Sequence, residues 1–290
     1  MLFQSIEELL SLTETYGTIA ETMIQTEIET SQYSREVIIE HMSKNLTVMM
    51  ASIEKGIGGV TSVTGLTGGD ATRMNDYLAA ENYLSGQTIL KAVRNAIAVN
   101  EVNAEMGLIC ATPTAGSAGV AAGVLAAMVE DYGISHEEQL EFLFTAGAIG
   151  LVIANKASIS GAAGGCQAEI GSASAMASGA LVALRGGTPQ QSAQAVAITL
   201  KNMLGLICDP VAGLVEVPCV KRNALGASQA FISADMALAG IESVIPVDEV
   251  IEAMHQVGMQ MPSIFKETAE GGLAATKTGK AIIHRLYSND

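Results

Sequence analysis

Tryptophan is absent from this chain, aromatic residues make up only 4 % of it, and lysine and arginine together number 15 against 30 aspartates and glutamates. At a formal net charge of −15, the scarcity of basic side chains argues against nucleic acid and against an anionic membrane surface as partners, because both are held by basic surfaces. Such a charge keeps a protein soluble. A small anionic substrate stays admissible where the site supplies local positive charge, as a metal centre would. With so few aromatics, the core has to come from Ala, Leu, Ile, Val and the 14 methionines. The 30 glycines let helices pack through small-residue faces and let backbone approach a bound group. Cysteine is scarce too: four in 290 residues do not make the disulfide framework of a secreted protein. Met1-Leu-Phe-Gln-Ser-Ile-Glu-Glu lacks the basic start of a secretory signal, so a cytoplasmic location is expected. The uncharged run from Met106 to Val129 has the length of a membrane span, but it carries Pro113, Ser117 and four glycines, so a spanning helix is not expected. No linker, charge run or repeat divides the chain, and residues 1–290 read as one large domain.

Helical signals dominate. Ser5 with Glu8 forms a capping box for a first helix, Thr18 to Glu29 continues at helical spacing, and Ser34 is the N-cap of a third helix. That helix carries an apolar stripe of Ile38, Met42, Leu46, Met49 and Ile53. Ala71 to Ala104 reads as one or two helices, with Asp70 as their cap. Val120 to Asp131 is an Ala-rich helix, and Ser135 with Glu138 opens a buried one over Leu140 to Ala154. Ala168 to Leu184 is a small-residue helix, and Thr188-Pro189-Gln190-Gln191 supplies cap, N1 proline and capping-box glutamine to the next. Asn223 to Ala239 and Asp248 to Val257 complete the set. Few β-branched runs of period two occur, so the expected class is all-α.

The chemistry gathers in the breaks between these helices. Gly56 to Asp70 holds six glycines among hydroxyl residues, a composition whose N–H and O–H groups suit a carboxylate. It matches neither the phosphate-binding loop nor the dinucleotide fingerprint. Lys156 to Cys219 holds three of the four cysteines, each beside glycine or proline: Cys166 after Gly164-Gly165, Cys208 before Asp209-Pro210, and Cys219 after Pro218. Their intervals are too long for one helix to present all three, so only the fold can bring them together. Paired spacings of a zinc site are missing, and none of the four histidines sits in a glycine-rich break to serve a cysteine nucleophile. Spacing alone leaves inert buried thiols, a metal centre and a nucleophilic cysteine all open.

Four segments carry a resemblance: Thr64-Gly-Leu-Thr-Gly-Gly-Asp70, Ala157-Ser-Ile-Ser-Gly-Ala-Ala-Gly-Gly-Cys-Gln-Ala-Glu-Ile-Gly171, Gly205-Leu-Ile-Cys-Asp-Pro-Val-Ala-Gly213 and Val217-Pro-Cys-Val-Lys-Arg-Asn223. They resemble the α chain of bacterial iron-sulfur L-serine dehydratase along nearly the whole chain. The resemblance implies an all-helical catalytic domain whose Gly-rich loops form the site. It further implies a four-iron, four-sulfur (4Fe-4S) cluster on Cys166, Cys208 and Cys219, with Cys110 outside the ligand set and one iron left open as a Lewis acid. It implies loss of the Cα proton and β-hydroxyl of L-serine to give an aminoacrylate, then an imine, then pyruvate and ammonia. Substrate carboxylate binding is expected at Ser62, Thr64, Thr67, Gly68 and Gly69 and at the Ser158 and Ser160 hydroxyls. The base stays unassigned, and Lys156 is not given that role. A Ser-His-Thr motif belongs to a second module of this family, so a separate β chain and a hetero-oligomer are expected. Two departures stand out. The chain ends Leu286-Tyr-Ser-Asn-Asp290, without the terminal cysteine of single-chain members, so autoinhibition by such a thiol is not expected. Lys277 replaces a proline common in relatives, which puts the local tail conformation in question.

Rival readings are a related cluster-dependent lyase such as an L-cysteine desulfidase, a pyridoxal-phosphate dehydratase with Lys156 as Schiff base, and a non-catalytic helical subunit.

Overall fold

The structure is a computed structural model that describes residues 2–288. The capping residues act where they stand. Hydroxyls of Ser5, Thr18 and Ser34 each accept the N–H three residues on, at the starts of α1 (Ile6–Tyr16), α2 (Ile19–Ser31) and α3 (Arg35–Ile57). Then come α4 (Asp70–Ala79), α5 (Gln87–Ala104) and α6 (Ala118–Tyr132). The reciprocal Ser135/Glu138 box opens α7 (His136–Lys156), which runs into the short α8 (Gly161–Gly164). A π-helical turn over Gln167–Gly171 leads into α9 (Ser172–Leu184). The Thr188/Gln191 box and Pro189 start α10 (Pro189–Asn202), followed by α11 (Cys219–Leu238), α12 (Val247–Gln260) and α13 (Lys277–Tyr287). Among the described residues there is no sheet, only the isolated bridges Thr61 to Gly68 and Cys208 to Lys266, so the fold is all-α.

Small side chains set the packing. In α6 every residue from Ala118 to Met128 is buried, and in α9 every residue from Ser172 to Val182; these two helices form the centre, and α5, α7, α10 and α11 pack around them. A Cβ at Gly119 would lie 2.3 Å from the Ala96 carbonyl oxygen, and one at Gly56 would lie 2.3 Å from that of Ala98. Both glycines therefore allow backbone contact with α5 that no larger residue permits. The uncharged run from Met106 to Val129 splits into a loop around Pro113 and the buried α6, and no helix among the described residues is long and apolar enough to cross a membrane.

One cap differs from expectation. Asp70 does not cap α4; it is the first helical residue, after Gly69 in a left-handed conformation. The cap comes from α5 instead: Glu101 accepts the N–H groups of Asp70 and Ala71 at 2.8 and 3.2 Å. Glu101 is buried at that helix start while the Asp70 carboxylate turns outward to Arg73 and Lys221. Two such N–H donors at a helix N-terminus satisfy a buried carboxylate that solvent does not reach.

The tail from Ser263 to Ala275 makes two short 3-10 turns before α13. Lys277 is the first residue of α13, and Thr276 is its cap. Proline is tolerated at that position because its missing N–H is unpaired in any helix, so either residue starts α13. The Tyr287 hydroxyl donates to the Ala212 carbonyl at 3.1 Å, which returns the tail to the segment between Cys208 and Cys219. Asn289 and Asp290 lie outside the described residues.

Candidate active site

Cys166 reaches the site through glycines. At the end of α7, Lys156 pairs with Asp248 at 3.1 Å, and that carboxylate also accepts the Ile6 and Glu7 N–H groups at the start of α1. Lys156 therefore braces α1 and α12, and nothing in this geometry prepares it as a Schiff base. Gly161 faces Cys208: a Cβ there would stand 2.9 Å from the Cys208 Sγ and 3.3 to 3.4 Å from the Glu267 and Glu169 carboxylates. Gly165, at φ 76°, reverses the chain to deliver Cys166 to the π-helical turn. Gln167 then sews the segments together. Its side-chain amide donates to the Met254 carbonyl at 3.0 Å and accepts the Gly205 N–H at 2.9 Å, while its own N–H donates to Leu206 at 2.9 Å.

Cys208 arrives in an extended strip clamped by the tail. Its N–H donates to the Phe265 carbonyl at 2.8 Å, and its carbonyl accepts the Glu267 N–H at 3.0 Å. Cys219 is the first residue of α11, after a cis Val217-Pro218 bond. Asn223, one turn later, donates to the Cys219 and Gly116 carbonyls at 2.9 and 2.7 Å and accepts the Gly119 N–H at 3.1 Å. Arg222 of the same helix turns back across the site. Its Nη1 donates to the Cys166 Sγ at 3.3 Å and to the Ile207 carbonyl at 2.9 Å, and its Nη2 pairs with Asp209 at 2.8 Å.

All three of these thiols are buried. Donor atoms of Cys166, Glu169 and Cys208 lie within 4.8 Å of one another. Cys219 stands further out in the same charged neighbourhood, where Cys166, Glu169 and Glu267 all act on its thiol. Cys110, half-buried in the loop before α6, stands outside this group. The hydrogen bond from Cys208 holds the Cys166 thiol below the usual range against its burial, with help from Arg222. The same bond, then burial, pushes Cys208 far up. Burial and the Cys166 charge push Cys219 up. Burial also raises the Glu169 carboxyl, which Glu267 reinforces, although the Thr114 hydroxyl donates to it. Three thiols and two carboxylates beside one guanidinium form a donor set compatible with a metal cofactor. Soft thiolate donors fit a transition metal.

The glycine-rich loop of residues 58–69 borders the same region through Glu216. Thr64 and Thr67 donate their hydroxyls to the two Glu216 oxygens at 2.7 and 3.0 Å, and Ser62 lies 3.3 Å from the Thr64 hydroxyl. Gly68 packs on the Val60 and Thr61 backbone, and Gly69 leads into α4. Ser158 accepts the Ser160 N–H at 3.1 Å, and Ser160 precedes α8 beside Gly161. The expected binding residues thus form two groups, one latched to the residue three before Cys219 and one beside the turn that carries Cys166. The larger cavities lie elsewhere; one of about 360 Å³ sits between α2, α3 and α7.

Sequence reasoning singled out neither Glu169, Glu216, Arg222 nor Glu267. The first three were findable, since Glu169 and Arg222 fall three positions after Cys166 and Cys219, within one helical turn, and Glu216 falls three before Cys219. Glu267 carries no such signal, because its place depends on a long-range bridge to Cys208.

An all-helical scaffold that sets buried thiols and carboxylates among glycine turns presents a site compatible with a metal cofactor, and sequence comparison gives the family. The profile described as "Serine dehydratase alpha chain" matches residues 14–274. The chain is 58 % identical over 287 residues to "Probable L-serine dehydratase, alpha chain" of Bacillus subtilis (strain 168), covering 99 % of this chain and 96 % of that one. It is 44 % identical over 266 residues to "L-serine dehydratase, alpha chain" of Peptoniphilus asaccharolyticus, covering 91 % of each. To "L-serine dehydratase 1" of Escherichia coli (strain K12) it is 36 % identical over 282 residues, which cover 94 % of this chain but 61 % of that longer one. This chain belongs to the serine dehydratase alpha chain family.

Proposed function

We propose that the chain is the catalytic α subunit of an iron-sulfur-dependent L-serine dehydratase, which converts L-serine to pyruvate and ammonia in the cytoplasm together with a β chain. The observation that carries this reading is the buried grouping of Cys166, Cys208 and Glu169, with Cys219 buried close enough for its thiol to feel their charges. Thiolates of these three residues would hold a 4Fe-4S cluster, and when bound that group supplies an open iron as Lewis acid toward the substrate's hydroxyl and carboxylate oxygens. Arg222 donates to the Cys166 sulfur and, after the Cys208 hydrogen bond, helps hold that thiol below its usual range, and Asp209 holds Arg222 in place. The hydroxyls of Ser62, Ser158 and Ser160 and the backbone at Gly68 and Gly69 bind and orient the substrate carboxylate, and Thr64 and Thr67 join them once substrate draws their hydroxyls from Glu216. Glu216 fixes the loop by accepting both threonine hydroxyls. Lys156 is committed to Asp248.

Anaerobic purification with iron and sulfide counts, followed by pyruvate assays on L-serine and L-cysteine with and without the β chain, tests the reading. About four irons and four sulfides per chain and β-dependent turnover of serine are expected. A colourless, iron-free protein would refute the cluster, and preference for cysteine would move the assignment to a desulfidase.

The loop carries its own prediction. Thr67→Ala removes a buried hydroxyl that Glu216 accepts, which costs roughly 1–2 kcal/mol of loop order. The KM for serine should rise roughly tenfold with iron content unchanged. An unaltered KM would remove the loop from substrate binding.

A further inference from the structure

Of the five most exposed large hydrophobic residues among those described, Leu84 and Val244 lead, and the other three come together. Val63, Met106 and Leu108 are 77, 83 and 75 % exposed, and the fold brings them to one place: the Val63 N–H points to the Ala104 carbonyl at 3.5 Å, just before Met106 and Leu108. Lys55 and Glu105, paired at 2.6 Å, rim the same surface. Both segments that leave this patch run into the site. One is the glycine-rich loop, whose Thr64 and Thr67 donate to Glu216; the other runs through Thr114, which donates to Glu169. Exposed aliphatic side chains grouped at the mouth of a site mark an interaction surface.

We propose that the Val63, Met106 and Leu108 surface is where the β chain docks. This inference rests on the dehydratase reading. The comparisons indicate the occupant. This chain covers 96 % of the Bacillus subtilis alpha chain but 61 % of the single-chain Escherichia coli dehydratase, so about two-fifths of the single-chain enzyme has no counterpart here. Two relatives that match this chain along nearly their whole length carry the name alpha chain, which implies a beta chain, and that second polypeptide is the occupant. To complete the site, that polypeptide must sit where the site-bordering segments surface, and the patch is that place. Its contacting face would be apolar and centred on aliphatic anchors, with a polar rim at Lys55 and Glu105.

The test uses the cluster-loaded α chain and its β chain, with association measured by calorimetry and turnover measured separately. Met106→Glu with Leu108→Glu, and the corresponding double lysine variant, should each weaken association at least thirtyfold, with helicity and iron content unchanged. Serine turnover should return at saturating β chain. Using both signs of charge separates loss of apolar contact from electrostatic repulsion. Leu84→Glu is the control. Leu84 is fully exposed in the turn before α5, roughly 25 Å from the patch along that helix, and this variant should bind the β chain as the parent does. Undiminished β-chain binding by either double variant, no binding by the parent, or loss of α-chain self-association in place of β-chain binding would each overturn the proposal. A parent complex that forms through the patch yet yields no pyruvate would refute the dehydratase reading and leave the interface standing.

Discussion

Alanine in place of Cys166, Cys208 or Cys219, one at a time, is expected to lower serine turnover by roughly a thousandfold or more, whereas Cys110→Ala should retain it within about twofold. The distinction follows from position. Cys166 and Cys208 share a hydrogen bond and a carboxylate neighbour, and Cys219 lies within reach of the same charges. Cys110 packs against the main core, and its thiol is raised by burial rather than by another cysteine. Deleting one thiol removes a donor that no neighbouring thiol replaces. Iron content and visible absorbance should therefore fall together with turnover in the three site variants and in none other. The scaffold should survive: loss of one sulfur atom empties little volume, so far-UV circular dichroism should match the parent. Full iron and full turnover in any one of the three would dissolve the ligand set. Equal loss in Cys110→Ala would show that the group was drawn too narrowly.

Local rules made most of the helices legible, because capping residues and apolar periodicity act over a few positions. Ser34, Ser135 and Thr188 start their helices as their side chains require, and small residues marked α6 and α9 as helices, though their central place came from the fold. Where an outcome depended on contacts distant in sequence, reading failed. Asp70 looked like a cap in sequence, but Glu101, from a helix that begins seventeen positions later, is the carboxylate buried against that helix end. α11 begins at Cys219, not at Asn223, so the third cysteine sits on the same helix as Arg222 and Asn223, which anchor it. The clamp on Cys208 by Phe265 and Glu267 was unreadable for the same reason: a parallel bridge of two short strips has no periodicity. What the cysteines, glycines and hydroxyl residues announced was the kind of chemistry. The charged groups that tune it came from the fold.

Arg222→Leu is expected to have the largest effect on stability, because Arg222 is the only cation paired with the Asp209 carboxylate among the described residues. Asp209 is 3 % exposed, and although Leu273 donates its N–H to the other carboxylate oxygen at 2.7 Å, one backbone donor does not replace a guanidinium. Breaking a buried pair from one side costs about 3–5 kcal/mol, since the remaining charge stays desolvated. For a chain of this size that loss should lower the anaerobic unfolding midpoint by roughly 10 °C. Arg222→Lys should recover only part of it, because one ammonium cannot span Asp209, the Ile207 carbonyl and the Cys166 sulfur as the planar fork does. Adding Asp209→Asn to Arg222→Leu removes the stranded charge and should restore at least half of the lost stability; the double-mutant cycle then gives the coupling directly. Iron content separates the two duties of the arginine: the double variant should regain its midpoint but not its iron, because the Cys166 sulfur then keeps only the Cys208 hydrogen bond. Recovery of both together would reduce Arg222 to a structural counterion, and recovery of neither would mean that the Asp209 charge is not what its loss exposes.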